Sequence, residues 1–263
     1  RKLLPVIKET LPDTVVILGG PEVSYNAGDV LDTLPLVDYV ISGEGEKPFA
    51  LLLNALADDQ AVDRIPGVCY RTDGAPVVTA PHCPADIPPS PYGEAYFRAL
   101  GGRIAYLETS RGCPFSCAFC LSGRAERVRL FPLERAKKEL ALLAGSGTQT
   151  VKLVDRTFNA DQGRAREIFR FILDSYGMLI PKDVRFHFEI AGDLLDDETL
   201  ALIKATPPGL LQFEIGLQSF HAETLEALCR KTDIARLRNN IGRLMSFGNI
   251  HIHVDLIAGL PTQ

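Results

Sequence analysis

Strand-length apolar runs alternate with segments of helical periodicity along the second half of the chain. The predicted strands are 103–110, 150–158, 184–192, 210–220 and 249–260. The predicted helices lie near 132–145, 161–176, 196–205 and 221–247, with a break in the last near 231–232. Repeated βα units of this spacing predict an α/β fold with a parallel sheet or barrel. Because five strands are too few for a closed TIM barrel of about eight strands, we predict a partial, open TIM-like barrel.

The first 60 residues have a different, shorter pattern. A helix is predicted at 1–12, apolar strands at 14–21 and 37–46, and a second helix at 47–58. Both strands end in glycine-bearing loops, as in the carboxyl-terminal part of a doubly wound α/β domain. Since two strands do not make such a domain, we expect its other half upstream of residue 1.

Residues 61–100 separate these two patterns. They contain a predicted hairpin that turns at Asp73 and Gly74, followed by a Pro-rich linker. The predicted organisation is therefore a partial α/β domain at 1–60, the hairpin and linker at 61–100, and the open barrel at 101–263. We expect at least one further βα unit beyond residue 263.

Three of the barrel strands have one polar face. Residues two apart in a strand share a face, and the polar positions are Arg185, His187 and Glu189, then Gln212, Glu214, Gly216 and Gln218, then His251, His253 and Asp255. Two interpretations are open, an internal ion-pair cluster and a barrel interior that binds a polar ligand. The ligand is favoured, because burying so many polar groups is costly unless they are paired.

Composition and charge exclude several classes of partner. The net charge is −5, and no run of Lys and Arg is present to bind nucleic acid or an anionic membrane surface. No apolar stretch approaches the roughly 20 residues of a membrane-spanning helix. Six cysteines in 263 residues do not indicate a secreted disulfide scaffold. We expect a cytoplasmic protein with reduced thiols.

Three cysteines lie within eight residues, in the segment SRGCPFSCAFCLSG that follows the first barrel strand. They are Cys113, Cys117 and Cys120. Thiolates are soft ligands that bind zinc or iron–sulfur clusters, and a structural zinc site takes four protein ligands. Cys69 or Cys83 could supply a fourth ligand, but both lie across the Pro-rich linker. Three cysteines on a 4Fe–4S cluster leave one iron open to a ligand that is not protein, whereas three unligated thiols would be prone to oxidation.

The spacing Cys-x3-Cys-x2-Cys, with Phe119 before the last cysteine, resembles the radical S-adenosylmethionine (SAM) superfamily. This resemblance implies a 4Fe–4S cluster on Cys113, Cys117 and Cys120, whose open iron binds the amino and carboxylate groups of SAM. An electron from a donor such as flavodoxin or ferredoxin then cleaves SAM to a 5′-deoxyadenosyl radical. The cofactor pair supplies this chemistry, and the protein supplies positioning and excludes water.

Two further segments extend the resemblance to the branch that includes coproporphyrinogen oxidase and the methylthiotransferases. FEIGLQS resembles the fourth-strand segment of that branch, and VDLIAGLP resembles the fifth. The resemblance implies SAM contacts at Glu189, Gln218, Arg230, Asp255 and Phe119. It implies a contact to the SAM amino group after the second strand, where VDRTFN offers Asp155, Thr157 or Asn159 and where Asp155 could instead pair with Arg156. Just past the cysteine loop, Arg124, Arg127 and Arg129 could bind an anionic substrate or form a solvated loop.

The segments ILGGPEVSY and VDYVISGEGEKPF, followed by IPGVCYR, resemble the end of the cobalamin-binding domain of cobalamin-dependent radical SAM proteins. The resemblance places Gly19, Gly20, Gly43 and Glu44 near the nucleotide tail of cobalamin. The alternative is that these glycines serve only to form tight turns. It implies methyl transfer to an unreactive carbon of a small-molecule or natural-product substrate. The alternatives are cobalamin-independent hydrogen abstraction, rearrangement or methylthiolation, and, in another class, a non-catalytic zinc or iron–sulfur scaffold.

Overall fold

The structure, a computed structural model, describes residues 2–124 and 128–262. The chain divides into two compact units, Arg1–Pro89 and Ser90–Gln263. None of the helices among the described residues is both long enough and apolar enough to cross a membrane.

The first unit is a four-stranded mixed sheet with helices. Its strands are β1 (Ile17–Leu18), β2 (Tyr39–Ile41), β3 (Val68–Thr72) and β4 (Ala75–Val77), hydrogen-bonded in that order. Its helices are α1 (Leu3–Thr10), α2 (Pro21–Ser24), α3 (Ala27–Thr33) and α4 (Glu46–Ala57). Strands β1 and β2 are parallel, as expected for a doubly wound sheet, and the other two pairs are antiparallel.

The hairpin β3–β4 belongs to the first unit rather than to a linker. It turns at Asp73 and Gly74, whose φ angles of 51° and 80° are those of a two-residue type I′ turn. Strand β3 pairs with β2 and buries Val68 and Cys69 completely. The predicted segment 61–100 is thus divided between the units, because Val68 and Cys69 pack in the cores of the first unit, whereas Tyr96, Phe97 and Leu100 pack on the core of the second.

The second unit contains the predicted βα repeat. Its strands are β5 (Ala105–Leu107), β6 (Ser110–Arg111), β7 (Arg129–Leu130), β8 (Thr150–Leu153), β9 (Arg185–Ile190), β10 (Leu211–Gln218) and β11 (His251–Leu256). Its helices are α5 (Glu94–Leu100), α6 (Leu133–Ala144), α7 (Gln162–Ser175), α8 (Asp197–Lys204), α9 (Ala222–Ala227) and α10 (Ile234–Phe247). Strands β5, β8, β9, β10 and β11 form one parallel sheet in chain order, the partial TIM-like barrel, and β6 pairs with β7.

Local capping sets where three of these helices begin. The carboxylates of Asp161, Asp196 and Asp233 accept hydrogen bonds from the backbone N–H three residues on, at 2.8–2.9 Å. Such N-caps satisfy a donor that the helix itself leaves unpaired. The cap at Asp233 also explains the predicted break, since α9 ends at Ala227 and α10 begins anew at Ile234.

The predicted parity of the strands is confirmed in β9 and β10. Their apolar residues are buried in the core that the helices cover, where Phe188 packs against Phe158, Phe169 and Phe213 at centroid distances of 4.6–6.0 Å. Their polar residues face the other side and are partly exposed. Strand β11 differs, because it is an edge strand of the sheet among the described residues. Its predicted apolar face is open, with Val254 and Leu256 exposed.

Candidate functional site

The three cysteines of the predicted cluster loop line one cavity of the second unit. Cys117 is buried, and Cys113 and Cys120 are partly exposed. The loop leaves β6 and is tightened by a hydrogen bond from the Cys120 N–H to the Cys117 carbonyl at 3.0 Å. It is tied at its centre by a bond from the Ala118 N–H to the Leu228 carbonyl at 2.9 Å. The three thiols are therefore presented together at the carboxyl-terminal side of the sheet.

The donor set fits an iron–sulfur cluster better than a single metal ion. No group of three His, Cys, Asp or Glu side chains within residues 2–124 and 128–262 converges closely enough to hold one ion. A structural zinc ion needs four ligands at about 2.0–2.3 Å from one centre. In a cubane cluster each cysteine binds a different iron, so the sulfurs need not converge on a point.

Five of the six predicted SAM contacts lie in this same cavity. They are Glu189 at the end of β9, Gln218 at the end of β10, Arg230, Asp255 in β11, and Phe119. The cavity is also lined by Arg156, Thr157 and Glu214. The structure thus brings the cysteines and the polar strand residues to one place, as parity and the resemblance together predicted.

Gln218 reaches the cavity through an irregular end of β10. The register against β11 shifts between Gly216 and Gln218, and Gln218 has a φ of 68°. A Cβ on Gly216 would lie 2.5 Å from Nε2 of Gln218, so any larger residue there would displace that amide from its present position. Bulges of this kind redirect a side chain near a functional site. The sequence predicted the residue but not the irregularity that positions it.

Asp155, the sixth predicted SAM contact, is corrected by the structure. Its side chain is fully buried and lies outside the cavity lining. Its carboxylate accepts hydrogen bonds from the Thr109 N–H at 3.2 Å, from the Thr109 hydroxyl at 2.9 Å and from the Ser110 hydroxyl. Burial raises the pKa of Asp155, and these hydrogen bonds oppose that rise. Asp155 therefore anchors the start of the cysteine loop to the end of β8 and does not line the cavity.

The other two candidates after β8 have separate roles. Asn159 is buried and forms two 2.8 Å hydrogen bonds with the backbone of Ala191, which joins the loops after β8 and β9. Thr157 lines the cavity, and its hydroxyl lies 3.4 Å from Sγ of Cys113. Of the three predicted amino-group contacts, only Thr157 is therefore in the cavity. Arg129 lies in β7, whereas Arg127 and the side chain of Arg124 lie outside the described part of the chain.

Arg230 is held between the cysteine loop and β10. Its Nη1 lies 3.4 Å from Sγ of Cys117, and its Nη2 donates to the Gly216 carbonyl. Its guanidinium carbon is 5.7 Å from the centre of the Phe115 ring. A guanidinium that also lines the cavity can bind a carboxylate.

A cluster of charged side chains lies beside the cavity, in the barrel interior. Nζ of Lys152 is 3.3 Å from Glu214 and 3.5 Å from Glu189, and Nε2 of His187 is 3.0 Å from Glu214. The ion-pair interpretation of the polar faces is thus correct for Glu189 and Glu214, which both pair with Lys152 and also line the cavity. Sequence reasoning missed Lys152, although it alternates with Val151 and Leu153 in β8 and so shares the polar face.

The charges in this cluster shift two pKa values in opposite directions. Burial alone would lower the pKa of Lys152, but the carboxylates of Glu214 and Glu189 outweigh burial and raise it. Burial would raise the pKa of Glu214, but the hydrogen bond from His187 and the charge of Lys152 outweigh it and lower the pKa. Both residues are therefore charged at neutral pH.

The substitution Lys152→Met tests this cluster. The pKa of Glu214 is lower in the folded state than in the unfolded state, where it is about 4.3. This difference stabilises the fold above the unfolded pKa, and the stabilisation is lost as the pH falls through the folded pKa. Without the positive charge of Lys152, the carboxylates of Glu189 and Glu214 lose their shared ion-pair partner. We expect the variant to be less stable than the wild type at pH 7, and the difference to shrink below about pH 4 as they are protonated. Thermal unfolding of the wild type and the variant at pH 7 and below about pH 4 measures this difference in stability. The exposed Lys138→Met is the control, and an equal loss in both variants would contradict the ion pairing.

The glycines at the ends of β1 and β2 in the first unit differ from one another. Gly19 and Gly20 are exposed, and Gly20 has a φ of 98° with open space where a Cβ would lie. Gly43 has a φ of 85°, and a Cβ there would lie 2.4 Å from the His82 carbonyl oxygen. Glu44 donates its N–H to that same carbonyl at 2.7 Å. Packing against His82 therefore explains Gly43, and Gly19 and Gly20 remain open enough to meet a ligand.

Comparisons with known proteins agree with this geometry. Residues 107–263 match the family model of the radical SAM superfamily. The 2-(S-pantetheinyl)-carbapenam-3-carboxylate methyltransferase of Streptantibioticus cattleyicolor is 32% identical over 282 residues, which cover 100% of this chain and 40% of that protein. The cobalamin-dependent radical SAM methyltransferase TokK of Streptomyces tokunonensis is 32% identical over 278 residues, with the same coverage. The chain therefore spans about 40% of the length of these two relatives.

A solved structure has the same fold. The radical SAM methyltransferase TsrM from Kitasatospora setae, with cobalamin and a 4Fe–4S cluster bound, superimposes with a TM-score of 0.76 over 99% of this chain and 54% of that one, at 18% identity. The matched family model includes the three-cysteine loop and strands β8 to β11 and covers more than half of the residues. The chain belongs to the radical SAM superfamily.

Proposed function

We propose that this chain is the core of an enzyme that holds a 4Fe–4S cluster on Cys113, Cys117 and Cys120 and cleaves SAM reductively. The observation that carries the proposal is the cavity in which three thiols meet Glu189, Gln218, Arg230 and Asp255. Three cysteines leave one iron of the cluster open. Because the polar strand residues line the same cavity as the three cysteines, they support binding of SAM beside the cluster.

The chain's own residues have distinct tasks in this proposal. Arg230 offers guanidinium N–H groups to the SAM carboxylate, and Thr157 and Glu189 are placed to accept from the SAM ammonium group. Gln218 and Asp255 are suited to bind the ribose hydroxyls. Phe119 covers the cluster side of the cavity. The bound cluster supplies the electron that breaks a carbon–sulfur bond of SAM, and the protein supplies positioning and a shielded cavity.

We further propose that the full-length protein uses cobalamin to methylate an unreactive carbon of a small-molecule substrate. The name of TokK states cobalamin dependence, and TsrM is known with cobalamin bound. Gly19 and Gly20 follow β1, and Glu44 follows β2, the parallel strand beside it. These residues therefore lie at the edge of a doubly wound sheet at which ligands bind. Cobalamin titration of the full-length protein, followed by its absorption spectrum, separates this proposal from cobalamin-independent chemistry.

The remaining partners follow from the same chemistry. Cluster reduction requires an electron donor, for which flavodoxin or ferredoxin is suited. The free thiols of a cluster site persist in a reducing compartment, so we propose the cytoplasm.

The assay that tests the function is anaerobic cluster reconstitution, reduction with dithionite and chromatographic detection of 5′-deoxyadenosine from added SAM. We expect 5′-deoxyadenosine in proportion to the cluster present. Stoichiometric zinc without iron or sulfide would favour a non-catalytic scaffold and overturn the proposal.

A further inference from the structure

Arg230 contacts one of the three predicted cluster cysteines directly. Nη1 of Arg230 lies 3.4 Å from Sγ of Cys117, within hydrogen-bond distance for sulfur, and Cys117 is the most buried of the three cluster cysteines. A cationic donor beside a buried thiolate is stronger than a neutral donor, because the surrounding dielectric constant is low. The guanidinium of Arg230 and the thiol of Cys117 are therefore in direct contact.

Several contacts fix the guanidinium in this position. Nη2 donates to the Gly216 carbonyl, and the Phe115 ring lies below the guanidinium. The backbone N–H of Arg230 donates to the Leu225 carbonyl at 2.9 Å, and Cys229 just before it turns the chain with a φ of 53°. Nε of Arg230 is buried without a hydrogen-bond partner among the described residues. Buried donors without partners are costly and are tolerated at functional sites.

Cys113 and Cys120 have no charged hydrogen-bond donor at their sulfur atoms among the described residues. Sγ of Cys113 lies 3.4 Å from the neutral hydroxyl of Thr157. No charged donor contacts Sγ of Cys120 among the described residues. Among the described residues the three cluster ligands are therefore unequal, because a charged donor contacts Cys117 and a neutral hydroxyl contacts Cys113.

We propose that Arg230 raises the reduction potential of the cluster by donating a charged N–H···S hydrogen bond to the Cys117 thiolate. Reduction adds one electron to the cluster, and a positive charge against a ligand sulfur stabilises the more negative state. Hydrogen bonds to cluster sulfurs are a recognised means by which proteins adjust this potential. The role is additional to any contact with the SAM carboxylate, because a guanidinium has five N–H donors. The inference rests on the proposed function, since it requires a cluster on Cys117.

The test is a redox titration of the full-length, anaerobically reconstituted protein without SAM, followed by electron paramagnetic resonance (EPR). The variants are Arg230→Met, which keeps bulk but removes charge and donors, and Arg230→Lys, which keeps the charge but not the planar fork. Thr157→Val removes the neutral bond at Cys113. Arg243→Gln removes an exposed arginine paired with Asp197 at 2.6 Å and serves as the charge control.

We expect the midpoint potential to fall in the order wild type, Arg230→Lys, Arg230→Met, with four irons per chain retained. Thr157→Val should shift it less than Arg230→Met, and Arg243→Gln should leave it unchanged. A midpoint in Arg230→Met equal to the wild type, or moved no more than in Arg243→Gln, would overturn the inference. If Arg230→Met fails to assemble a cluster, Arg230→Lys decides in the same way. An absent cluster in the wild type would instead refute the proposed function, so the two failures are distinguishable.

Discussion

We expect the substitution Cys117→Ala to abolish both the proposed iron–sulfur cluster and the formation of 5′-deoxyadenosine. Cys117 is the buried member of three thiols that line one cavity, and no group of His, Cys, Asp or Glu in the described residues converges as a substitute metal site. Loss of one ligand leaves two protein ligands for a cluster that already has one open iron. We expect iron and sulfide after reconstitution to fall to the level of a sample without protein. The 5′-deoxyadenosine product should fall to the background without enzyme.

The matched control is Cys83→Ala. Cys83 is exposed and lies in the first unit, and the sequence alone leaves it open as a fourth ligand. We expect its removal to leave cluster content and product unchanged. Normal cluster content in Cys117→Ala, or loss of the cluster in Cys83→Ala, would show that the ligand set is assigned wrongly.

We expect the substitution Asp155→Ala to destabilise the start of the cysteine loop. The substitution leaves the Thr109 N–H, the Thr109 hydroxyl and the Ser110 hydroxyl without their buried acceptor. Unsatisfied buried donors cost about 1–3 kcal/mol, so we expect the free energy of unfolding to fall by about that amount. Because these donors begin the cysteine loop, cluster occupancy after reconstitution should also fall. Denaturant unfolding and iron analysis measure the two effects.

Two further variants serve as a conservative substitution and a control for Asp155→Ala. Asp155→Asn keeps one acceptor oxygen of similar shape and should lose less stability than Asp155→Ala. Asp174→Ala removes an exposed carboxylate in α7 and should have no effect on either quantity. Wild-type stability and wild-type cluster occupancy in Asp155→Ala would refute the anchoring role.

Strand periodicity predicted much of the site, because a period of two fixes which residues share a face. Glu189 and Gln218 were placed by parity together with the family resemblance, and the cavity contains both. Asp233 and its cap likewise explain a break in α9–α10 that the sequence predicted. These features depend on neighbours close along the chain, so the sequence alone reveals them.

Contacts across the fold were not predictable in the same way. Asp155 follows an apolar strand and looks available to a ligand, but its partners lie about 45 residues away and bury it. The contact between Arg230 and Cys117 spans 113 residues. The left-handed backbone of Gln218 has no sequence signal, since glutamine rarely adopts a positive φ. The exposure of Val254 and Leu256 depends on which strands flank β11, and hydropathy does not report that.

We propose that Cys113, Cys117 and Cys120 leave one iron of a 4Fe–4S cluster open for SAM. The most direct test is the EPR spectrum of the reduced cluster in the full-length protein, recorded with and without SAM. A ligand that binds the open iron changes the electronic symmetry of the cluster, so SAM should shift the g values in the wild type. An intact, reducible 4Fe–4S cluster whose spectrum is the same with saturating SAM would contradict the claim.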